Sequence, residues 1–182
     1  MNVVDWGDRK NNPTAELKDI LGYPGEHQAE IHSILAEYNF NIKFDKYIED
    51  AANSISSKIT SDEIKKRRDF RNITTFTIDP YDAKDFDDAL SIQKLENGNW
   101  EVGIHIADVS HYINENDNID KEAQERATSI YLVDRVIPML PEVLSNNLCS
   151  LIPNEEKLCF SAVFELDKTA KICNEWFGKT II

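Results

Sequence analysis

Apolar positions along the chain follow two different periods. Between residues 25 and 40, Ile31, Ile34, Leu35 and Tyr38 recur at helical spacing while Glu26, Glu30 and Glu37 fall outside the stripe, which predicts an amphipathic helix. Strict alternation appears in Trp100, Val102, Ile104 and Ile106, and again in Leu158, Phe160, Ala162, Phe164 and Leu166. A period of two places each set on one face of a strand. Asn97-Gly98 lies between apolar runs at 89–95 and 100–107 and is a strong hairpin signal, so those runs are expected to be antiparallel neighbours. Further strands are expected at 3–6 and 14–21, joined by a polar turn at 7–12, and at 129–133 and 172–177. Thr60-Ser61-Asp62-Glu63 reads as a capping box opening a helix that runs through Lys65-Lys66-Arg67-Arg68, and Asp120 as the cap of a helix through Ala127. Residues 44–52 read as connector. These elements give an α+β fold: a mixed, largely antiparallel sheet with flanking helices.

Candidate chemistry is concentrated between two strand-like runs, where Asp79, Asp82, Asp85, Asp87 and Asp88 crowd into one short stretch. Carboxylates packed together and partly desolvated repel strongly unless a cation sits among them. Oxygen-only ligands suit magnesium, manganese or calcium rather than zinc, which points to metal-assisted phosphoester chemistry. Asp79 is expected to end a strand carrying Thr75 and Thr77 on its face, with Pro80 turning the chain out of the sheet. Asp85 and Asp87 share a side of an extended chain and Asp88 takes the other, so convergence of the cluster requires irregular backbone. An EF-hand calcium loop does not fit: counted from Asp79 the twelfth residue is Leu90, and counted from Asp85 the sixth is Leu90. A solvated acidic loop remains the plain alternative.

Three blocks carry a more specific signal. Thr77 to Leu90, then Gly103-Ile104-His105-Ile106-Ala107-Asp108-Val109-Ser110-His111-Tyr112, then the run from Asp134-Arg135 through Ser145-Asn146-Asn147-Leu148-Cys149-Ser150-Leu151 resemble, in order and spacing, the catalytic RNB domain of the ribonuclease II and ribonuclease R family, most of all ribonuclease R. A departure is Pro80-Tyr81, where the family pattern has a glycine followed by an acidic residue. The resemblance covers nearly the whole chain. It implies processive 3′-to-5′ hydrolysis of single-stranded RNA to nucleoside 5′-monophosphates, with magnesium as cofactor and manganese as an alternative. It also implies that Asp79, Asp85, Asp87 and Asp88 are the catalytic, metal-holding aspartates. Within a two-metal arrangement, Asp79 and Asp88 are expected on a tightly held ion, with Asp85 and Asp87 completing the second ion's site or orienting the water. Tyr131 falls at the family position whose ring stacks on RNA, a buried core tyrosine being the rival reading. Arg135 either reaches a phosphate or pairs with an aspartate. His105 either approaches the acidic cluster across the hairpin or is a hydrogen-bonded structural histidine. Asp108 and His111 are read as loop staples, and Lys65 to Arg68 as a solvated helix end rather than an RNA contact.

By the same resemblance the chain divides into the final strands of a cold-shock, OB-type barrel (1–22), a helical connector (23–70) and the first part of the RNB domain (71–182). Trp6 is then a core or capping residue. The family's remaining channel wall, a later arginine and a terminal S1-type barrel are missing, so the chain is expected to be a fragment, inactive alone and prone to self-association through an exposed apolar sheet face or an unpaired edge.

Charge argues the other way: 20 basic against 33 acidic residues give −13, the wrong sign for gripping RNA by phosphate neutralisation. Carboxylates that meet phosphate through metal ions remove the contradiction locally. Cys149, Cys159 and Cys173 form no CxxC pair, which fits a reducing cytoplasm. No signal peptide or membrane-length apolar run is seen. The alternatives are a different metal-dependent phosphodiesterase and a non-catalytic acidic module that binds metal or a basic partner.

Overall fold

A computed structural model describes residues 2–8, 11–17, 19–38 and 40–182. Arg9 and Lys10 of the predicted turn, Lys18 of the second predicted strand and Asn39 of the predicted helix lie outside the described residues. The chain forms two units, 1–43 and 44–182.

In the first unit, β1 (Asn2–Asp5) pairs antiparallel with β2 (Thr14–Glu16), with a register shift between Val3 and Asp5. Helix α1 (His27–Glu37) buries Ala29 and Leu35. Trp6 is exposed, as are Val3, Val4, Leu17, Ile20 and Tyr23, so the expectation of a core or capping tryptophan is not met.

The second unit opens with α2 (Lys46–Asn53), where a connector was expected. Ile48 and Ala52 are wholly buried with Ala51 and Ile55 packed beside them, and their i, i+3, i+4, i+7 spacing is the helical stripe of a core-facing element. Helix α3 is a single turn, Ser61–Ile64, and Thr60 Oγ1 accepts the Glu63 N–H at 3.2 Å. The predicted continuation through Arg68 does not occur. Glu63 turns its carboxylate to Arg67 rather than back to the cap, and the chain enters β3 (Arg68–Asp69).

The main sheet has the order β3, β10, β9, β6, β5, β4, built from β4 (Thr74–Phe76), β5 (Asp88–Lys94), β6 (Trp100–Ala107), β9 (Leu158–Leu166) and β10 (Ile172–Ile181). Every pairing is antiparallel except β3 with β10. The hairpin at Asn97-Gly98 forms as predicted, with Gly98 at φ 86°. Between β6 and β9 lie α4 (Val109–Tyr112), α5 (Asn118–Arg126), the short pair β7 (Ile130–Tyr131) and β8 (Val136–Ile137), and a π-helical turn at Leu144–Leu148. The α5 cap is Asp117, whose side chain accepts from Asp120 N, not Asp120 itself.

The sheet's two faces have opposite characters. One packs Ala89, Ala107 and Cys159 against Ile48, Ala52, Ile119, Leu144, Leu148 and Leu151. On this side His105 is completely buried, its Nδ1 2.7 Å from Ser161 Oγ and its Nε2 2.8 Å from Ser91 Oγ, and Ser161 continues to Thr180 at 2.6 Å. Gly103 is required there, because a Cβ would stand 2.4 Å from Ser91 Oγ and 2.6 Å from His105 Nε2. The alternating set Trp100, Ile104 and Ile106 lies on the other face with Ile92, Phe160 and Phe177, and all are exposed.

Arg67 ties four segments together from inside. Its guanidinium donates to Asp108 Oδ2 at 2.7 Å, to Glu63 Oε1, and to the Cys159 and Thr180 carbonyls. Burial alone raises a carboxyl pKa, but the bonds from Ser110, Arg67 and Lys179 outweigh it and hold Asp108 below the usual range. The basic run is therefore not a solvated helix end at Arg67.

Candidate active site

Antiparallel pairing of β4 with β5 sets Phe76 opposite Leu90. Asp79, three residues beyond β4, therefore returns toward Asp87 and Asp88 at the start of β5. The strand itself ends at Phe76, earlier than expected, and the connecting stretch 77–87 is irregular apart from a turn in which the Ala83 N–H donates to the Pro80 carbonyl at 3.0 Å. Irregular backbone is what the spacing of these aspartates demanded.

The acidic side chains sense one another. Asp87 has its pKa raised, first by desolvation and then by the charges of Asp85, Asp88 and Asp79. Asp79 Oδ2 is shielded from solvent and has no hydrogen-bond partner, a state that is costly for a carboxylate oxygen. Asp85 Oδ2 accepts a 2.7 Å hydrogen bond from the Tyr131 hydroxyl. That bond, reinforced by desolvation and the charge of Asp85, pushes the Tyr131 phenol up to about 12.

These observations fit an oxygen-preferring divalent cation: all-carboxylate donors, mutual repulsion focused on Asp87 and an orphaned oxygen on Asp79. Among the described residues, no three His, Cys, Asp or Glu side chains stand in a ready-made chelating arrangement. The charges of Asp79, Asp85 and Asp88 reach Asp87, but the four carboxylates are not closed around a common centre.

The remaining candidates separate. Tyr131 is 65 % exposed, with its ring free to meet a ligand, and is not a core residue. Arg135 pairs with its neighbour Asp134. His105 takes the structural alternative: both ring nitrogens face buried hydroxyls, and burial, with the charge of Arg68, drops its pKa to about 4. It has no surface to offer RNA. Cys149 and Cys159 are buried free thiols whose pKa burial pushes up to about 12, and Cys173 is an exposed free thiol.

Sequence reasoning assigned no role to Ser150. Its hydroxyl donates to the Lys84 carbonyl at 2.8 Å and accepts the Phe86 N–H at 3.1 Å. It sits inside the third motif block, but nothing in a serine's spacing reveals a contact made 64 residues upstream.

The RNB domain model matches residues 67–182, and the cold shock domain model matches residues 1–45. Ribonuclease R 1 of Lactococcus lactis is 45 % identical over 184 residues, covering 100 % of this chain and 22 % of that protein. Mycoplasma genitalium RNase R, solved in complex with ribose-methylated single-stranded RNA, superposes with a TM-score of 0.89 at 30 % identity, over 99 % of this chain and 28 % of that one. Yeast Ssd1, described as a pseudonuclease, superposes at 0.77 and 27 % identity, over 100 % of this chain and 23 % of its own. The chain spans about a fifth of the length of its curated relatives.

Proposed function

The chain belongs to the RNB-domain family of exoribonucleases, and from that premise we propose that it carries the metal-binding aspartates of a 3′-to-5′ exoribonuclease that degrades single-stranded RNA to nucleoside 5′-monophosphates. The observation that supports this reading best is the convergence of charge on Asp87 from Asp79, Asp85 and Asp88, within the segment that the RNB model matches.

Asp79, Asp85, Asp87 and Asp88 would hold magnesium, or manganese in its place. Bound there, divalent ions supply activation of the attacking water and neutralisation of charge on the phosphate and the departing oxygen. The protein's own contributions are positional. Asp79 offers an oxygen already stripped of water and partners. Tyr131 holds Asp85 through its hydroxyl while its exposed ring can stack on a terminal base, an interaction worth about 1–3 kcal/mol. Substrate positioning contributes much of a hydrolase's acceleration, so this stretch alone, about a fifth of the relatives' length, is proposed to have negligible exonuclease activity.

Calorimetry with magnesium, manganese and calcium, on this chain and on its Asp88→Asn variant, tests the reading. Binding of magnesium or manganese that Asp88→Asn weakens at least about tenfold, by about 1.4 kcal/mol, supports it. No divalent binding, or binding that ignores the substitution, refutes it. A second reading, a non-catalytic RNB module, is favoured by the likeness to the pseudonuclease Ssd1. Asp87→Asn in the complete gene product decides between them: unaltered turnover of 3′-tailed RNA would end the catalytic assignment.

A further inference from the structure

Five aspartates between Asp79 and Asp88 repel one another, and stretch 77–87 has almost no internal backbone bonding to resist being spread apart. Its conformation has to be imposed from outside. We propose that Ser150 is a positioning residue for the acidic loop, gripping the main chain on both sides of Asp85 so that its carboxylate is held among the other aspartates.

The hydroxyl of Ser150 is used in both directions. Its proton goes to the carbonyl of Lys84 at 2.8 Å, and its oxygen accepts the N–H of Phe86 at 3.1 Å. Asp85 is the residue between. The neighbouring Leu151 N–H donates to the Phe86 carbonyl at 2.8 Å, and the Ala107 N–H donates to the Asp87 carbonyl at 3.0 Å. The main chain is therefore anchored at 84, 86 and 87, beside both Asp85 and Asp87, by groups on two other segments of the core. Ser150 is completely buried, so no bulk water is at hand to replace its hydroxyl. It lies one residue beyond Cys149, which caps the π-helical turn at Leu144–Leu148 with its N–H on the Leu144 carbonyl at 2.8 Å. Tyr131 in turn donates its hydroxyl proton to the Asp85 carboxylate. Removing the Ser150 hydroxyl leaves the part-buried Phe86 N–H and Lys84 carbonyl without this partner, which the loop relieves by moving.

Amide hydrogen exchange on the chain, followed by manganese titration, tests this; only the titration rests on the metal reading proposed above. In the unsubstituted chain the Phe86 amide, although in an irregular stretch, is expected to exchange as slowly as amides of β5. In Ser150→Ala its protection falls at least about tenfold while β6 amides keep theirs, and manganese affinity falls by a similar factor. Ser161→Ala, which removes another fully buried hydroxyl, lowers stability but leaves Phe86 exchange and manganese affinity unchanged. Fast exchange at Phe86 in the unsubstituted chain, or protection unchanged in Ser150→Ala, overturns the proposal. If Ser150→Ala does not fold, the unsubstituted Phe86 rate decides alone. If Phe86 behaves as expected and the unsubstituted chain binds no manganese, the metal reading falls and the anchoring role stands.

Discussion

At the scale of single residues, Asp87 is placed against the stability of the metal-free chain. A carboxylate whose pKa is raised by desolvation and like charges weakens the fold when ionised, so Asp87→Asn should raise the melting temperature without metal. A partly solvated group is screened, and a gain of about 2–4 °C is expected, the response of a chain this size to roughly 1 kcal/mol. The same variant should lose the further rise that magnesium gives the unsubstituted chain. Differential scanning calorimetry checks both. His105 sets an opposite dependence on acidity. With a folded pKa near 4 against 6.5, it takes up its proton in the unfolded chain first. Its contribution is complete above pH 6.5, declines as pH falls from 6.5 to 4 and levels off below that. The loss is of order 3 kcal/mol, measurable by urea unfolding across that range, and the slope should flatten in His105→Gln. Alternation along β6 showed that His105 shared a face with Gly103, but not which face was buried. The apolar side reads as core by hydropathy, yet the polar side is the one sealed, because Ser91, Ser161 and Thr180 supply hydroxyls that only strand pairing brings together.

At the scale of elements, local signals were legible where a few consecutive residues determine the geometry. Asn97-Gly98 made the hairpin and Thr60 capped its turn. The acidic loop was legible as chemistry, through residue type and spacing. Helix α2 was missed although Ile48, Ala51, Ala52 and Ile55 carry the correct period, because eight residues offer little more than two turns of pattern. The misreading at Arg67 has a different cause. Among Lys65, Lys66 and Arg68 it looks like one solvated cation in four, and the partners that draw it inward, Asp108 and the Cys159 and Thr180 carbonyls, are distant in sequence. Arg67→Met leaves Asp108 buried with Lys179 as its remaining cation. A loss of about 3 kcal/mol is expected, at the low end for breaking a buried pair, and guanidinium unfolding measures it.

At the scale of the whole molecule, the open sheet face carrying Ile92, Trp100, Ile104, Ile106, Phe160 and Phe177 is an apolar surface of the kind that drives association. Sedimentation of this chain should show concentration-dependent self-association despite its charge of −13, and Ile104→Lys with Phe160→Lys should shift it toward monomer. Unchanged sedimentation would place the contact elsewhere.

The parallel pairing of β3 with β10 joins Arg68 to Thr180 and Asp69 to Ile181. A ribosome must therefore deliver more than a hundred further residues before the segment at 68–69 finds its neighbour, and Arg67, waiting beside it, lacks the Cys159 and Thr180 carbonyls until then. Assembly is consequently late and governed by the slow search for distant partners, and Arg67 stays only partly bonded until the last strand is made.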